Sequence, residues 1–279
     1  MKRSKLLFHE EVLEVIEANK KFKHLTYMNF NGCEFQRVLD LSGIPNLIEL
    51  HLDGCKNLIE IHDSIGSLEK LVWLSADKCT NLNTFPADIR LPSLKYLNLR
   101  SCNKLEKFPS VLAKMETISW IDLCHTAIKE LPSSIENLVG LQELSLSFCK
   151  RLQDLPSSIC KLENLFSLEL EDCREVMLSG NNFVLFPECI LELVSLECLR
   201  LNNCKQLQTI PRDILPRLKI IDALNCTLMT FRVVKLISLP VCLLVNDIKV
   251  LQVSYPIMYK LEIDHVWLLI YNIIFGRRK

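Results

Sequence analysis

Large apolar residues return along this chain every 22 to 24 residues, beginning at Leu25 and continuing to about Met229. With the first apolar residue of each repeat as offset zero, the frame is L-x-x-L-x-L-x-x-C-x-x-L-x-x-h-P, where h is apolar. The repeats start at Leu25, Leu47, Leu71, Leu94, Ile118, Leu141, Leu165, Leu196 and Leu218. This regularity predicts an array of similar coils stacked along one axis.

The first half of each repeat predicts one short strand. In the L-x-L alternation, offsets three and five point into the core, whereas offsets two and four lie on the open face. The later proline fixes φ and ends strand pairing, and the arm that follows, as in Pro132-Ser-Ser-Ile135, has room only for a turn or a 3₁₀ piece. Because no coil buries its apolar residues alone, neighbouring coils must stack. The sequence therefore predicts an α/β leucine-rich-repeat solenoid with a curved parallel β-sheet on its concave face, short 3₁₀ or irregular convex arms, and low helix content.

The frame divides the chain into three segments. We expect an N-terminal cap or linker at residues 1–24, nine to ten coils at 25–231, and a partial β-rich tail at 232–279. The frame is disturbed at 165–187, where the coil that starts at Leu165 runs into Leu178-Ser-Gly-Asn-Asn, which itself reads as the strand end of a coil. Fitting both requires a second start near Cys173, so a return arm of about 16 residues is missing there.

Composition excludes several classes of function. The 33 Lys and Arg residues balance the 33 Asp and Glu residues, so no global basic field favours nucleic acid. None of the 7 glycines belongs to a phosphate-binding loop, so we expect no nucleotide cofactor and no small-molecule substrate. The apolar run from Leu6 to Phe8 is too short for a signal peptide. Residues 233–245 and 266–275 fall short of the roughly 20 apolar positions of a membrane span.

Most coils carry a cysteine at offset eight, an inward corner where a small thiol and weak hydrogen-bond donor fits. These residues are Cys33, Cys55, Cys79, Cys102, Cys149, Cys204 and Cys226. The chain has no CxxC pair, and one cysteine per coil does not place four ligands around a metal, so we expect no metal site. Buried free thiols are typical of a reducing compartment, which predicts the cytosol or the nucleus.

The pair Cys124-His125 is the one nucleophile-and-base candidate that adjacency offers. Adjacent strand residues point to opposite faces, and the spacing implies no carboxylate that would orient the histidine. We therefore expect no catalytic residues and no enzymatic activity.

The open face is the candidate binding surface. Offset two carries four large aromatic residues, and coils about 5 Å apart would align them in a strip roughly 20 Å long, with side chains typical of interface anchors. Cross-strand stacking that only stiffens the sheet is the alternative. The middle coils turn acidic and would suit a basic partner surface, although simple solvation also explains exposed carboxylates. The predicted protein-binding residues are Tyr27, Trp73, Tyr96, Trp120, Asp122, Glu143, Glu169 and Glu171.

Several segments together resemble the leucine-rich-repeat region of TIR-type nucleotide-binding, leucine-rich-repeat disease-resistance proteins of plants. They are Phe22-Lys-His-Leu-Thr-Tyr27, Leu52-Asp-Gly-Cys55, the Leu-Pro-Ser-Ser-Ile blocks at Leu131 and Leu155, Leu178-Ser-Gly-Asn-Asn-Phe183 and Ile221-Asp-Ala-Leu-Asn-Cys226. The resemblance implies recognition of a pathogen effector, or packing on the receptor's nucleotide-binding domain, followed by defence signalling. Since no P-loop or TIR segment is present, we expect a truncated form of such a receptor. A free-standing leucine-rich-repeat scaffold or adaptor is the alternative.

Overall fold

The computed structural model describes residues 5–7, 22–38, 40–153, 155–173, 190, 192–204, 218–222 and 242–244. The main element is one sheet of eleven parallel strands, each three residues long and paired with the strand of the next coil. These strands are β1 (Lys5–Leu7), β2 (Tyr27–Asn29), β4 (Glu49–His51), β6 (Trp73–Ser75), β8 (Tyr96–Asn98), β10 (Trp120–Asp122), β11 (Glu143–Ser145), β12 (Ser167–Glu169), β13 (Cys198–Arg200), β14 (Ile220–Asp222) and β15 (Cys242–Leu244). The predicted leucine-rich-repeat solenoid is confirmed.

The sheet register follows the repeat frame. Offset two of each coil pairs with offset two of the next, as in Glu49 with Trp73 and Trp120 with Glu143. At the centre of each strand, offset three points inward, and Leu50, Leu97 and Leu144 are almost completely buried there. Stacking of identical offsets therefore builds one continuous apolar core from coils that have no core of their own.

The return arms on the convex side are short. Three carry a 3₁₀ turn, η1 (Asp63–Ser67), η2 (Ser133–Asn137) and η3 (Ser157–Lys161), and others pair as two-stranded sheets, β3 (Arg37–Val38) with β5 (Glu60–Ile61) and β7 (Asp88–Ile89) with β9 (Ser110–Val111). Pro132 and Pro156 precede η2 and η3, as the frame predicts. His62 takes the proline's place before η1, and its side chain accepts a hydrogen bond from the backbone N–H of Ser64.

Each described coil leaves its strand through a left-handed residue at offset seven. These residues are Gly32, Gly54, Lys78, Ser101, His125, Phe148, Asp172 and Asn203, with φ between 51° and 74°. The conformation directs the backbone N–H at the next coil, so that Gly54 donates to the Asp77 carbonyl at 2.7 Å and Lys78 to the Arg100 carbonyl at 2.8 Å. The left-handed turn thus adds a backbone hydrogen bond between neighbouring coils beyond the end of the strand.

The disturbed region keeps the sheet intact. Strand β12 pairs directly with β13, Ser167 opposite Cys198, so the frame is kept on both sides of the seam. Cys173 occupies offset eight of the coil that starts at Leu165, where its thiol donates to the Leu146 carbonyl at 3.4 Å. It completes that coil rather than opening another. Residues 174–189 of the predicted seam lie outside the described residues.

The sheet also extends beyond the predicted coils at both ends. Strand β1, within the predicted cap segment, pairs with β2, and β15, within the predicted tail, pairs with β14. The rest of residues 232–279, and Cys226 of the predicted cysteine column, lie outside the described residues.

Candidate functional site on the concave sheet face

Four aromatic side chains form a strip across the N-terminal half of the sheet. Tyr27, Trp73, Tyr96 and Trp120 all occupy offset two, Glu49 separates the first two of them, and all four are half-buried. Trp73 and Tyr96 pack with ring centroids 4.8 Å apart, and Trp120 lies opposite Tyr96 on the next strand. The predicted alignment is therefore present, and its rings keep part of their surface exposed.

His51 completes the strip, and the sequence prediction did not include it. The imidazole lies 5.3 Å from the Tyr27 ring and 6.1 Å from the Trp73 ring, filling the gap that Glu49 leaves at offset two. Its Nε2 is 3.1 Å from a carboxylate oxygen of Glu49. Reading offset four together with offset two would have found it, because both columns face the open side of the sheet.

The rings of the strip stack across neighbouring strands, and one of their hydrogen-bond donors is unpaired. The indole N–H of Trp73 is buried and has no hydrogen-bond partner among the described residues. The Lys95 ammonium lies 5.6 Å from the centre of the Tyr96 ring, a cation–π contact within the chain itself. Stacking is thus observed, and the role of these residues in binding stays a prediction.

Asp122 does not belong to the exposed acidic surface that the sequence predicts. It is 6% exposed. Its carboxylate accepts a hydrogen bond from the Cys124 backbone N–H at 2.8 Å and lies 3.6 Å from the Arg100 guanidinium. The hydrogen bond to the Cys124 backbone holds the Asp122 side chain against the turn that follows its strand. Asp122 is therefore a structural residue in this fold.

Glu169 and Glu171 are partly exposed but already engaged. Glu169 accepts from the Arg200 guanidinium at 2.9 Å and from the Ser145 hydroxyl at 2.8 Å. The Asn202 amide donates to Glu171 at 3.2 Å, and burial raises the pKa of the Glu171 carboxyl. Glu143, by contrast, is exposed on the face, directly opposite Trp120.

Cys124 and His125 do not form a catalytic pair. The Cys124 sulfur is buried, 2.9 Å from the Ser145 hydroxyl, and burial is the main cause that raises its pKa to about 12. The His125 ring instead stacks on Phe148, with centroids 4.4 Å apart, and burial lowers the pKa of its imidazole. A thiol that stays protonated at neutral pH is a poor nucleophile.

The cysteines at offset eight form a hydrogen-bonded column inside the solenoid. Six described members donate their thiol to the offset-five carbonyl of the preceding coil, for example Cys79 to Leu52 at 3.0 Å and Cys149 to Leu123 at 3.1 Å. The same carbonyl accepts the backbone N–H of its own offset-eight residue, as when Cys55 donates to Leu52 at 3.2 Å. The thiols therefore satisfy the second lone pair of carbonyls that have no access to water.

The members of this column are free thiols wherever the structure describes them. Cys173 belongs to it although the sequence prediction omitted it, and Thr126 takes the cysteine's place in one coil, 3.3 Å from the Cys149 sulfur. Cys160, in a convex arm, is disulfide-bonded. Within the described ranges, no group of three or more His, Cys, Asp or Glu side chains is placed to hold a metal ion.

Comparisons with known proteins agree with this architecture. The family model described as disease resistance protein RPS4B-like leucine-rich repeats matches residues 90–177, and the model for R13L1/DRL21 leucine-rich repeats matches residues 3–79. Neither description indicates a catalytic family. A search of curated proteins finds no significant match.

Solved structures share the fold at low sequence identity. The leucine-rich repeat domain of the type III effector XopL superimposes with a TM-score of 0.63 and 21% identity, covering 84% of this chain and 80% of that one. The Toll–Spatzle complex of Drosophila gives a TM-score of 0.55 and 20% identity, covering 74% of this chain and 28% of that chain. The fold defines this protein as a leucine-rich-repeat solenoid. Its repeats are similar to those of disease-resistance proteins.

In the ranges that the structure describes, no helix has both the length and the apolar character that crossing a bilayer requires.

Proposed function

We propose that this chain is a non-enzymatic protein-recognition module of an intracellular plant immune receptor, binding a pathogen effector or the receptor's own nucleotide-binding domain in defence signalling. The disease-resistance type of the repeats supports this role. The single observation that carries it is the contiguous aromatic strip on the concave face, because half-exposed Trp and Tyr side chains are the usual anchors of protein interfaces.

The cysteine column supports the cytosol or the nucleus as the place where this module works. Cys55, Cys79, Cys102 and Cys149 are fully buried and free. Free thiols placed at successive coils of one column are compatible with a reducing compartment, in which the Cys160 disulfide would be reduced.

Partner capture tests the role of the strip. The tagged chain is expressed in infected plant leaf tissue as the unchanged protein, as Trp73→Ala and as Trp120→Ala, and the retained proteins are quantified by mass spectrometry. We expect each tryptophan variant to lose its specific partner by at least tenfold, since truncating an interface anchor costs about 2 kcal/mol. Glu143→Ala should have a smaller effect.

The control is Leu112→Ala, which removes a side chain 62% exposed on a convex arm and should retain the partner fully. Circular dichroism of each purified variant must match the unchanged protein. Unchanged partner retention in both tryptophan variants would overturn the proposal, and a loss of folded signal would assign the strip to sheet stability instead.

A further inference from the structure

The charges of this chain are distributed unevenly. The full chain is neutral, with 33 basic and 33 acidic residues. Offsets two, four and six between Tyr27 and Asp222, on the strands and the turns that follow them, carry eight carboxylates, seven of them at least partly exposed, and two guanidinium groups. The exposed or partly exposed carboxylates are Glu49, Asp53, Asp77, Glu143, Glu169, Glu171 and Asp222, the buried one is Asp122, and the guanidinium groups are Arg100 and Arg200. The face therefore carries an excess of negative charge, which basic residues elsewhere in the chain balance.

Both guanidinium groups are already engaged by carboxylates of the face. Arg100 lies 3.6 Å from Asp122, and Arg200 lies 2.9 Å from Glu169 and 3.4 Å from Asp222. Of the remaining carboxylates, Glu49 contacts the His51 imidazole and Asp77 contacts the Lys78 ammonium. Asp53, Glu143 and Glu171 form no ion pair among the described residues.

Two carboxylate oxygens on this face are buried acceptors without a hydrogen-bond donor among the described residues. They are Oδ1 of Asp77 and Oδ1 of Asp222. The other oxygen of Asp77 lies 3.4 Å from the exposed Lys78 ammonium at the rim, so Oδ1 is the one left open. Because both oxygens are buried, they are not contact points for a partner, but their charge adds to the negative potential of the face.

Three rings of the aromatic strip lie between two carboxylates, Glu49, which His51 already contacts, and the exposed Glu143. Glu49 and Glu143 lie in register with Trp73, Tyr96 and Trp120, one at each end of the row. They are four strand spacings apart, about 19 Å, which about six extended residues would span. A guanidinium stacks on an aromatic face and also pairs with a carboxylate in its plane, so arginine fits both parts of this surface. The Lys95 contact with the Tyr96 ring shows that a cation is accommodated there.

We propose that the concave face binds an extended, arginine-bearing segment of its protein partner. Guanidinium groups of that segment stack over Trp73, Tyr96 and Trp120 and pair with Glu49 and Glu143. This inference rests on the proposed use of the concave face for protein recognition and assigns the chemistry of the partner.

The first test measures binding of a synthetic probe to the purified full chain by fluorescence anisotropy. The probe is a labelled 12-residue peptide of arginine alternating with glycine and serine, compared with matched peptides that carry citrulline or lysine instead. We expect the arginine peptide to bind and to weaken about tenfold or more between 50 and 200 mM salt. The lysine peptide should bind more weakly, and the citrulline peptide, which has the same shape without the charge, should not bind.

The second test changes the face. The double variant Glu49→Gln/Glu143→Gln should weaken arginine-peptide binding about 3- to 10-fold, and Trp73→Ala at least as much. Glu136→Gln, an exposed glutamate of η2 on the convex side, is the matched control and should leave the affinity unchanged.

The inference is overturned if citrulline and arginine peptides bind alike, if the arginine peptide does not bind, or if Glu136→Gln weakens binding as much as the double variant. Its failure is distinguishable from failure of the proposed function. If the tryptophan variants lose the natural partner while the arginine peptide does not bind, recognition by the concave face stands and only the basic chemistry of the partner is excluded.

Discussion

Offset seven imposes one backbone conformation on chemically different residues. Only Gly32 and Gly54 adopt it without a Cβ, whereas Lys78, His125 and Phe148 hold side chains at positive φ. A left-handed conformation costs a non-glycine residue about 1 kcal/mol. The coils tolerate this cost because the conformation directs the offset-seven N–H at the next coil.

Exchanging the residue types at this offset should change stability in opposite directions. We expect Lys78→Gly to raise the free energy of unfolding by up to about 1 kcal/mol, and Gly54→Ala to lower it by about 1 kcal/mol. A Cβ at Gly54 would meet only the Gly32 nitrogen, at 3.9 Å, so conformational strain rather than crowding decides that result. Urea denaturation of both variants measures it, and destabilisation by Lys78→Gly would contradict the strain argument.

The buried thiols should make stability depend on alkaline pH. Burial raises the pKa of the Cys102 thiol from 9.0 to about 12. Since the pKa is higher in the folded state, the stabilising contribution is fully present below pH 9 and is lost as the pH rises towards 12. The free energy of unfolding should therefore fall above pH 9, and the fall should be smaller in Cys102→Ala, which has one thiol fewer to ionise. Urea denaturation at pH 7.5, 9 and 10.5 checks this, and equal falls in both proteins would refute it.

At the scale of the element, the convex arm before the coil at Leu141 packs backbone against backbone. A Cβ at Gly140 would overlap the carbonyl oxygens of Glu116 and Ile118. The Gly140 N–H donates to the Met115 carbonyl at 3.1 Å, which holds the two arms at that separation. The position therefore requires glycine for close approach.

Gly140→Ala should lower the free energy of unfolding by about 1–3 kcal/mol, because the arms must separate to admit the methyl group. Asn164→Ala is the matched control, one coil further along at the equivalent position. It removes only an exposed hydrogen bond to the Val139 carbonyl, and we expect a cost of about 1 kcal/mol or less. Thermal denaturation compares the two, and equal losses would show that the close approach at Gly140 is relieved without strain.

The elements that the sequence predicts best are those that a single coil encodes. The L-x-L alternation placed the strands of the main sheet from β2 to β12 at offsets two to four, and the Pro-Ser-Ser-Ile blocks placed η2 and η3. The two-stranded convex sheets were not predicted, because Arg37–Val38 and Glu60–Ile61 pair across coils and neither segment alternates on its own. Cys173 was left out of the predicted cysteine column, because the frame is disturbed there and its bond to the Leu146 carbonyl joins two coils.

At the scale of the whole molecule, the concave face also combines features that one coil encodes, which the sequence predicts, with contacts between coils, which it does not. A column of equivalent offsets predicts which side chains share a surface, and it placed the aromatic strip correctly. It does not predict which of these side chains form hydrogen bonds or ion pairs within the fold, because their partners lie 20 or more residues away in the sequence. Glu169 is engaged by Ser145 and Arg200, and Glu171 by Asn202, whereas Glu143 is exposed.

The cysteine column has a direction, since six of its described thiols donate from their own coil to the one before it. A whole coil inserted between two others by gene duplication would bring one donor and one acceptor, and both new junctions would be chemically identical to those already present. The long coil between β12 and β13 follows the same scheme, because Cys204 donates to Leu170 at 3.1 Å across it. Unequal exchange of complete coils can therefore lengthen or shorten this array, and so resize its concave face, without leaving an unsatisfied group in the cysteine column.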